Sequence, residues 1–228
     1  MGIRVSIVLA LVLVGVVYSW QLAAQETPAP APTTVTLPAA QDTNPLTLEQ
    51  ALRQRRSARA YGAAPLTLAQ VSQLLWAAQG ITEPNKGLRT APSAMASYPL
   101  RVYLIAGHVT GLPAGAYRYV PRGHTLELVT PGDQRTNAGA QPQMQHAAAL
   151  IIYAADTTAI AQRTNEQLAR QWAAIEIGHS AQNVLLEEVA LGLVGVPMGG
   201  YDAAKLKPVL KLPETEELYY VVSAGTKP

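Results

Sequence analysis

Between Arg53 and Arg59 the chain reads RQRRSAR, four arginines and a serine in seven positions. Arg53 follows Glu49 by four residues, the favourable order for an exposed helical pair, and reads as a solvated surface residue. Arg55 and Arg56 continue the apolar stripe of Leu48, Ala51 and Leu52 by three and four residues, which puts both at the edge of a buried face. A guanidinium at such a boundary needs an anion. Ser57 adds a hydroxyl, and Arg59 returns a third guanidinium towards the same point just past the helix end. Bidentate guanidinium donors converging with a hydroxyl suit a phosphate. The dipole of a helix C-terminus also attracts cations, and it accounts for one or two of these arginines without any ligand. On this stretch alone both readings stand.

Two further stretches have the composition of ligand-approaching backbone. Arg89 to Pro99, RTAPSAMASYP, has two prolines that fix a loop and small residues that let a flat group come close, or that simply make a rigid connection. Val196-Pro197-Met198-Gly199-Gly200-Tyr201-Asp202 presents paired glycines whose N–H groups are exposed, or a turn ahead of a helix at Lys205 to Leu210. The histidines, His108, His124, His146 and His179, are scattered, and Glu176 with His179 forms a single Glu-x-x-His where a di-iron bundle repeats it, so no metal is expected. The sequence contains neither a Gly-x-Ser-x-Gly elbow nor a Walker loop, and no second basic stripe with aromatics. Acyl transfer, phosphoryl transfer and nucleic-acid binding therefore find no support.

The elements that must position these residues are legible in outline. Thr47 with Gln50 makes a capping box opening a helix to about Arg56, and Thr67 with Gln70 makes another, stapled by Leu66 and Val71. Leu68, Val71, Leu74, Leu75 and Ala78 carry this second helix to Gly80. Strands are expected at Leu100 to Ala106, Ala116 to Val120, Thr125 to Thr130, Ala149 to Ala155 and Leu218 to Ala224. Asn165 to Leu193 lacks proline and repeats its apolar residues with a period near ~3.6, the pattern of one long, central helix. Strands and helices do not alternate regularly, so the class is α+β.

Composition bounds the rest. The chain has 228 residues, 49% hydrophobic and 14% charged, which is globular material with a sizeable core. A net charge of +2 gives no field that implies a nucleic-acid partner, so the arginines need a local explanation. The absence of cysteine excludes disulfides, thiol catalysis and a lipidated N-terminal cysteine. Arg4 precedes an apolar run from Val5 to Trp20 and the small residues Ala23 and Ala24, so residues 1–24 read as an export signal or an N-terminal anchor. Residues 25–45 carry five prolines and read as a semi-extended linker, leaving 46–228 as the folded domain. The bulk of the chain is then expected outside the cytoplasm, periplasmic or held on the outer side of the cytoplasmic membrane.

In the order RRSAR, RTAPSAMASYP before a strand, WAAIEIGHSAQNVLLEEVALGL, GVPMGGYDA and a final strand closing on AGTKP, the chain resembles the FMN-dependent nitroreductase family. The likeness runs from about Leu46 to the end, and is nearest to the thiazole/oxazole-forming peptide dehydrogenase branch, through the PSA and Glu-x-Gly-His-x-x-Gln-Asn segments. It implies a central, mostly antiparallel sheet flanked by helices, a long central helix, and an intertwined homodimer with both flavins at the interface. By the same resemblance Arg55, Arg56 and Ser57 hold the FMN phosphate and upper ribityl chain, and Arg59 stabilises negative charge near flavin N1. Pro92, Ser93 and Ala94 line the ring from the partner subunit. Gly199 and Gly200, with Met198 ahead of them, bring a backbone N–H to N5. Lys227 is the remaining basic candidate at the phosphate. The flavin carries the chemistry, so no separate catalytic side chain is expected.

Departures accompany the likeness. Ala96 stands where many members have an asparagine bonded to the ring, and the chain has no Lys-Tyr dipeptide of the azoline-oxidising members. The implied activity is ping-pong transfer of two electrons to a small organic acceptor such as a nitro compound or quinone. An exported enzyme would draw on a quinol or membrane redox donor in place of NAD(P)H. The alternative is an exported protein of the same fold that binds flavin or another ligand without turnover.

Overall fold

In this computed structural model, residues 33–43, 45–139 and 141–228 are described; the expected export segment and the first part of the proline-rich stretch lie outside them. In chain order come β1 (Thr34–Thr36), α1 (Leu48–Gln54), β2 (Leu66–Thr67), α2 (Leu68–Gln79), β3 (Ile81–Glu83) and β4 (Leu88–Arg89). They are followed by β5 (Leu100–Ala106), β6 (Val109–Thr110), β7 (Gly115–Val120), β8 (Thr125–Pro131) and β9 (Ala149–Asp156). The long α3 (Glu166–Ala190), β10 (Leu193–Met198), α4 (Ala203–Leu210) and β11 (Glu216–Thr226) complete the chain, with short helical turns at Arg135–Ala138, Pro142–His146 and Thr158–Ala161.

Both expected capping boxes form. Thr47 Oγ1 accepts from the Gln50 N–H at 3.3 Å while Gln50 Oε1 accepts from the Thr47 N–H at 2.9 Å, and Thr67 with Gln70 repeats the exchange at 3.1 and 2.9 Å. Leu66 and Val71, the expected staple, are both buried. Asn165 caps α3 by accepting from the Leu168 N–H at 2.9 Å, and Gly192, at φ +72°, turns the chain out of the helix.

Seven strands form one antiparallel sheet in the order β1-β8-β7-β5-β9-β11-β10, as the α+β reading requires. Successive strand residues point to opposite faces, and the two faces have separate cores. Val102, Leu104, Ile151, Tyr153 and Val222 pack with Leu74 and Leu75 of α2 and Ile177 and Val184 of α3. Tyr103, Ile105, Leu150, Ile152 and Val221 pack on the other face with Met144, Leu206 and Leu210.

Three expectations are corrected. The proline-rich stretch is not linker throughout, because Thr34–Thr36 pair with Thr125–Glu127 as an edge strand and Leu37 is buried. Pro38 lies beyond the pairing residues and so costs the ladder nothing. The segment after the long helix is no simple turn; Leu193–Met198 is the other edge strand, where Pro197 is tolerated. Finally α1 ends at Gln54, not near Arg56, and Arg55 already has extended backbone at φ −56°, ψ 121°.

Candidate functional site

The early end of α1 determines what the arginines do. Arg55 keeps one helical bond, from its N–H to the Ala51 carbonyl at 2.9 Å, and then the chain leaves the helix. Arg56 turns back: its Nη1 donates to the carbonyls of Arg53 at 2.9 Å and Arg55 at 2.7 Å, which satisfies helix-end acceptors. Ser57 then forms a parallel bridge to Gly195 of β10, and the Ala58 N–H donates to the Gly195 carbonyl at 2.9 Å. Four residues on, the Gly62 N–H donates to the Thr226 carbonyl at 2.9 Å. The arginine loop is thereby strapped across the ends of β10 and β11.

This strapping brings Lys227 to the arginines. Arg55, Arg56, Gly195, Lys227 and the acid Glu188 line a cavity of about 110 Å³. No ion pair among the described residues involves Arg55, Arg59 or Lys227. The expected Glu49–Arg53 pair is absent from the same set, and Arg53 is simply exposed. The stripe that was to place Arg55 is also different: Ala51 is buried, but Leu48 and Leu52 are 61% and 51% exposed.

Glu188 was not singled out in the sequence. It follows Ile177, Ala181 and Val184 at helical spacing, so an acid on the buried stripe of α3 was the available signal. Its side chain is buried, Oε1 has no hydrogen-bond partner, and burial pushes the carboxyl well above the usual range, with Arg55 opposing in part. Gly195 makes room for it. A Cβ there would lie 2.5 Å from both carboxyl oxygens and would run into the Ser223 carbonyl.

The second expected stretch lies elsewhere in the chain. Pro92, Ser93 and Ala94 line a separate cavity of about 250 Å³ with Trp172, Ile175 and His179 of α3, and share no lining residue with the arginine pocket. Ser93 Oγ accepts from the Tyr98 N–H at 2.8 Å, while Arg89 lies 4.6 Å from the Tyr98 ring centroid and donates to Gln79 Oε1 at 2.5 Å. Beside them Glu176 is buried, and desolvation raises its pKa. Met95, Ala96 and Tyr98 have φ of 54°, 51° and 47°, left-handed backbone without a glycine, the kind of strain that concentrates at working loops.

Of the third stretch, the Met198 side chain points into the core and only its backbone remains for a ligand. Gly199 and Gly200 are exposed at the end of β10, with open space where a Cβ of Gly199 would lie. Gln141 Nε2 donates to the Gly200 carbonyl at 2.8 Å.

These residues fit a phosphate-bearing flavin. Arg55 and Lys227 form no ion pair among the described residues, burial pushes up the pKa of Glu188, which lines their pocket, Ser57 and Arg59 are exposed on the same loop, and Gly199 leaves backbone open. Among the described residues no cluster of three metal-binding side chains occurs.

Comparison with known proteins adds a second line. The model of the nitroreductase family matches residues 52–226. A protein of Methanocaldococcus jannaschii assigned as a nitroreductase is 32% identical over 176 residues, which is 76% of this chain and 88% of that protein. A Ralstonia eutropha crystal structure with the same assignment superposes at a TM-score of 0.78 with 31% identity, over 86% of this chain and 90% of that one. The NADPH:FMN oxidoreductase of Vibrio harveyi, solved with NAD+, shares the fold at a TM-score of 0.56 with 21% identity, over 79% and 68% of the two chains.

Proposed function

Because the chain belongs to the nitroreductase family, we propose that it is an FMN-dependent oxidoreductase moving two electrons by a ping-pong mechanism from a donor to a small organic acceptor. The observation that carries this reading is the set of unmatched cations, Arg55, Lys227 and Arg59, strapped against Gly195 on one side of the molecule. When bound, FMN would accept a hydride or two electrons at N5 and release them to the acceptor.

The protein's own groups would then do three things. Arg55 and Lys227 bind the phosphate, with Ser57 adding a hydroxyl donor. Arg56, engaged with the carbonyls of Arg53 and Arg55, stiffens the loop more than it contacts the ligand. Arg59 supplies positive charge at the pyrimidine edge, and the N–H groups of Gly199 and Gly200 stand at the reacting edge.

The second half of the site comes from a partner copy in this proposal. Within one chain Pro92, Ser93 and Ala94 line a cavity that shares no residue with the arginine pocket, which supports this reading. The apolar side chains that a second copy would cover are Leu48, Leu52, Leu168 and Ile175, all exposed. Export rests on Arg4 ahead of Val5 to Trp20, and motivates a quinol or membrane donor; cell fractionation tests it. The PSA and Glu-x-Gly-His-x-x-Gln-Asn segments support the thiazole/oxazole branch, while the missing Lys-Tyr argues against azoline oxidation itself.

The deciding experiment is the visible spectrum of the purified protein. Flavin bands that bleach with a reductant and return with a nitroaromatic or quinone support turnover. Ala96, whose methyl offers the ring no donor, favours the second reading of binding without turnover. Bands that bleach but never return with any acceptor would select it. Sedimentation of a monomer would remove the shared-site part of the proposal.

A further inference from the structure

Glu188 has no task in the reading above, yet it sits at the floor of the pocket assigned to the phosphate. It is 2% exposed, Oε1 is unpartnered, and the neighbouring hydroxyls of Tyr61 and Ser223 are engaged with other groups. Ser223 Oγ accepts from the Val196 N–H at 3.0 Å and donates to the Val196 carbonyl at 3.2 Å. The Tyr61 hydroxyl, 2.7 Å from Ser223 Oγ, therefore gives its proton to Ser223 and not to the acid. Arg55 is near enough to act on the carboxyl electrostatically but forms no ion pair with it.

The ionisable groups around this carboxyl come from every element that packs on it. Arg55, Arg56 and Tyr61 belong to the loop after α1, Lys227 to the segment after β11, and Tyr153 to β9. An ionised carboxylate here would compete with an incoming phosphate for Arg55 and Lys227. A neutral carboxyl would do the opposite, since its O–H is a donor and the phosphate offers only acceptors.

We propose that Glu188 is a ligand of the phosphate in its acid form, donating its carboxyl proton to a phosphate oxygen held by Arg55 and Lys227. Burial disfavours the charged form and so favours retention of that proton. The proton bound on Glu188 is then part of the binding equilibrium. This rests on the flavin reading, and the tests separate the two.

FMN and riboflavin affinities are to be measured by flavin fluorescence between pH 7 and pH 9, where the phosphate is a dianion. For the wild type, FMN affinity is expected to fall about tenfold per pH unit once the pH exceeds the folded pKa of Glu188. Riboflavin affinity should stay flat. Glu188→Gln keeps a donor that cannot titrate, so it should bind FMN within about threefold of the wild type at pH 7 and lose the slope. A wild-type profile that stays flat across a pH range in which the infrared band of the protonated carboxyl is lost overturns the proposal, as does Glu188→Gln binding FMN far more tightly at pH 7, because that is the mark of a carboxylate opposing the phosphate.

A second measurement does not need the flavin. The infrared C=O stretch of a protonated carboxyl should be present in the wild type, shift on adding inorganic phosphate, and vanish in Glu188→Gln. If FMN fails to bind but this band shifts with phosphate, the flavin reading falls and the acid-form ligand stands. No such band in the wild type overturns the inference whatever FMN does.

Discussion

Two cation-rich cavities differ in a way that volume does not capture. The larger, about 580 Å³, opens where β5 and β7 part and is lined by Arg89, Arg101 and Arg118 with Tyr98, Gln79 and Glu127. Its charges are mostly spoken for. Arg101 donates to the carbonyls of Tyr98, Pro99 and Leu100 at 3.1 to 3.2 Å and stands 3.7 Å from Glu216, and Arg118 lies opposite Glu127 in the strand register. The smaller cavity, about 110 Å³, has Arg55 and Lys227, neither in an ion pair among the described residues, with one acid whose pKa burial pushes up. Unbalanced charge, not size, distinguishes a place built for an anion from one where arginines serve as structural donors.

That contrast can be broken most decisively at Arg55. Arg55→Ala should lower FMN affinity about 10- to 100-fold, the loss of a charge-assisted hydrogen bond, whereas Arg118→Ala in the larger cleft should change it less than about twofold. Equal losses in fluorescence titrations would erase the distinction. Gly195→Ala comes next, because a methyl there meets the Ser223 carbonyl and both oxygens of Glu188; a destabilisation of about 2 kcal/mol or more is expected in urea unfolding.

A smaller effect concerns the apoprotein and pH. The folded pKa of Glu188 is raised above its unfolded value, so its contribution to stability is fully present below about pH 4.3 and is lost as pH rises through the folded value. Melting temperature should therefore decline over that interval in the wild type and decline less in Glu188→Gln. The smallest expected change is at Ala96, where φ of 51° favours glycine: Ala96→Gly should stabilise by roughly 0.5–1 kcal/mol in the same unfolding assay. No gain there would mean that the loop's strain is relieved by contacts of the alanine methyl.

Local rules made much of this legible. The Thr47 and Thr67 capping boxes, the five long strands and the extent of α3 all follow from patterns within a dozen residues. What escaped depends on contacts distant in sequence. Thr34–Thr36 is three residues long and owes its strand state to β8, and Leu193–Met198 is a strand because β11 pairs with it despite a glycine and a proline. The arginine loop shows the same limit. Its residue types pointed to an anion, but Arg56 spends its guanidinium on helix carbonyls, and Lys227 and Glu188 join the pocket only through the Ser57–Gly195 bridge and the Gly62–Thr226 bond. Met198 shows how strand parity decides a role, since it turns its side chain to the core while the next residue lies open.

The strand order has a practical corollary for orienting the molecule on a surface. Thr34–Thr36 occupies one edge of the sheet and the strand bearing Gly195 the other, six inter-strand spacings away, or roughly 29 Å. The Leu37 N–H donates to the His124 carbonyl at 3.1 Å, and Ser72 Oγ donates to the Pro38 carbonyl at 2.5 Å, so the chain is clamped where it enters the domain. A bead or electrode coupled just ahead of Thr33 would hold the protein by the rim remote from the arginine loop, leaving that rim free to meet soluble reagents.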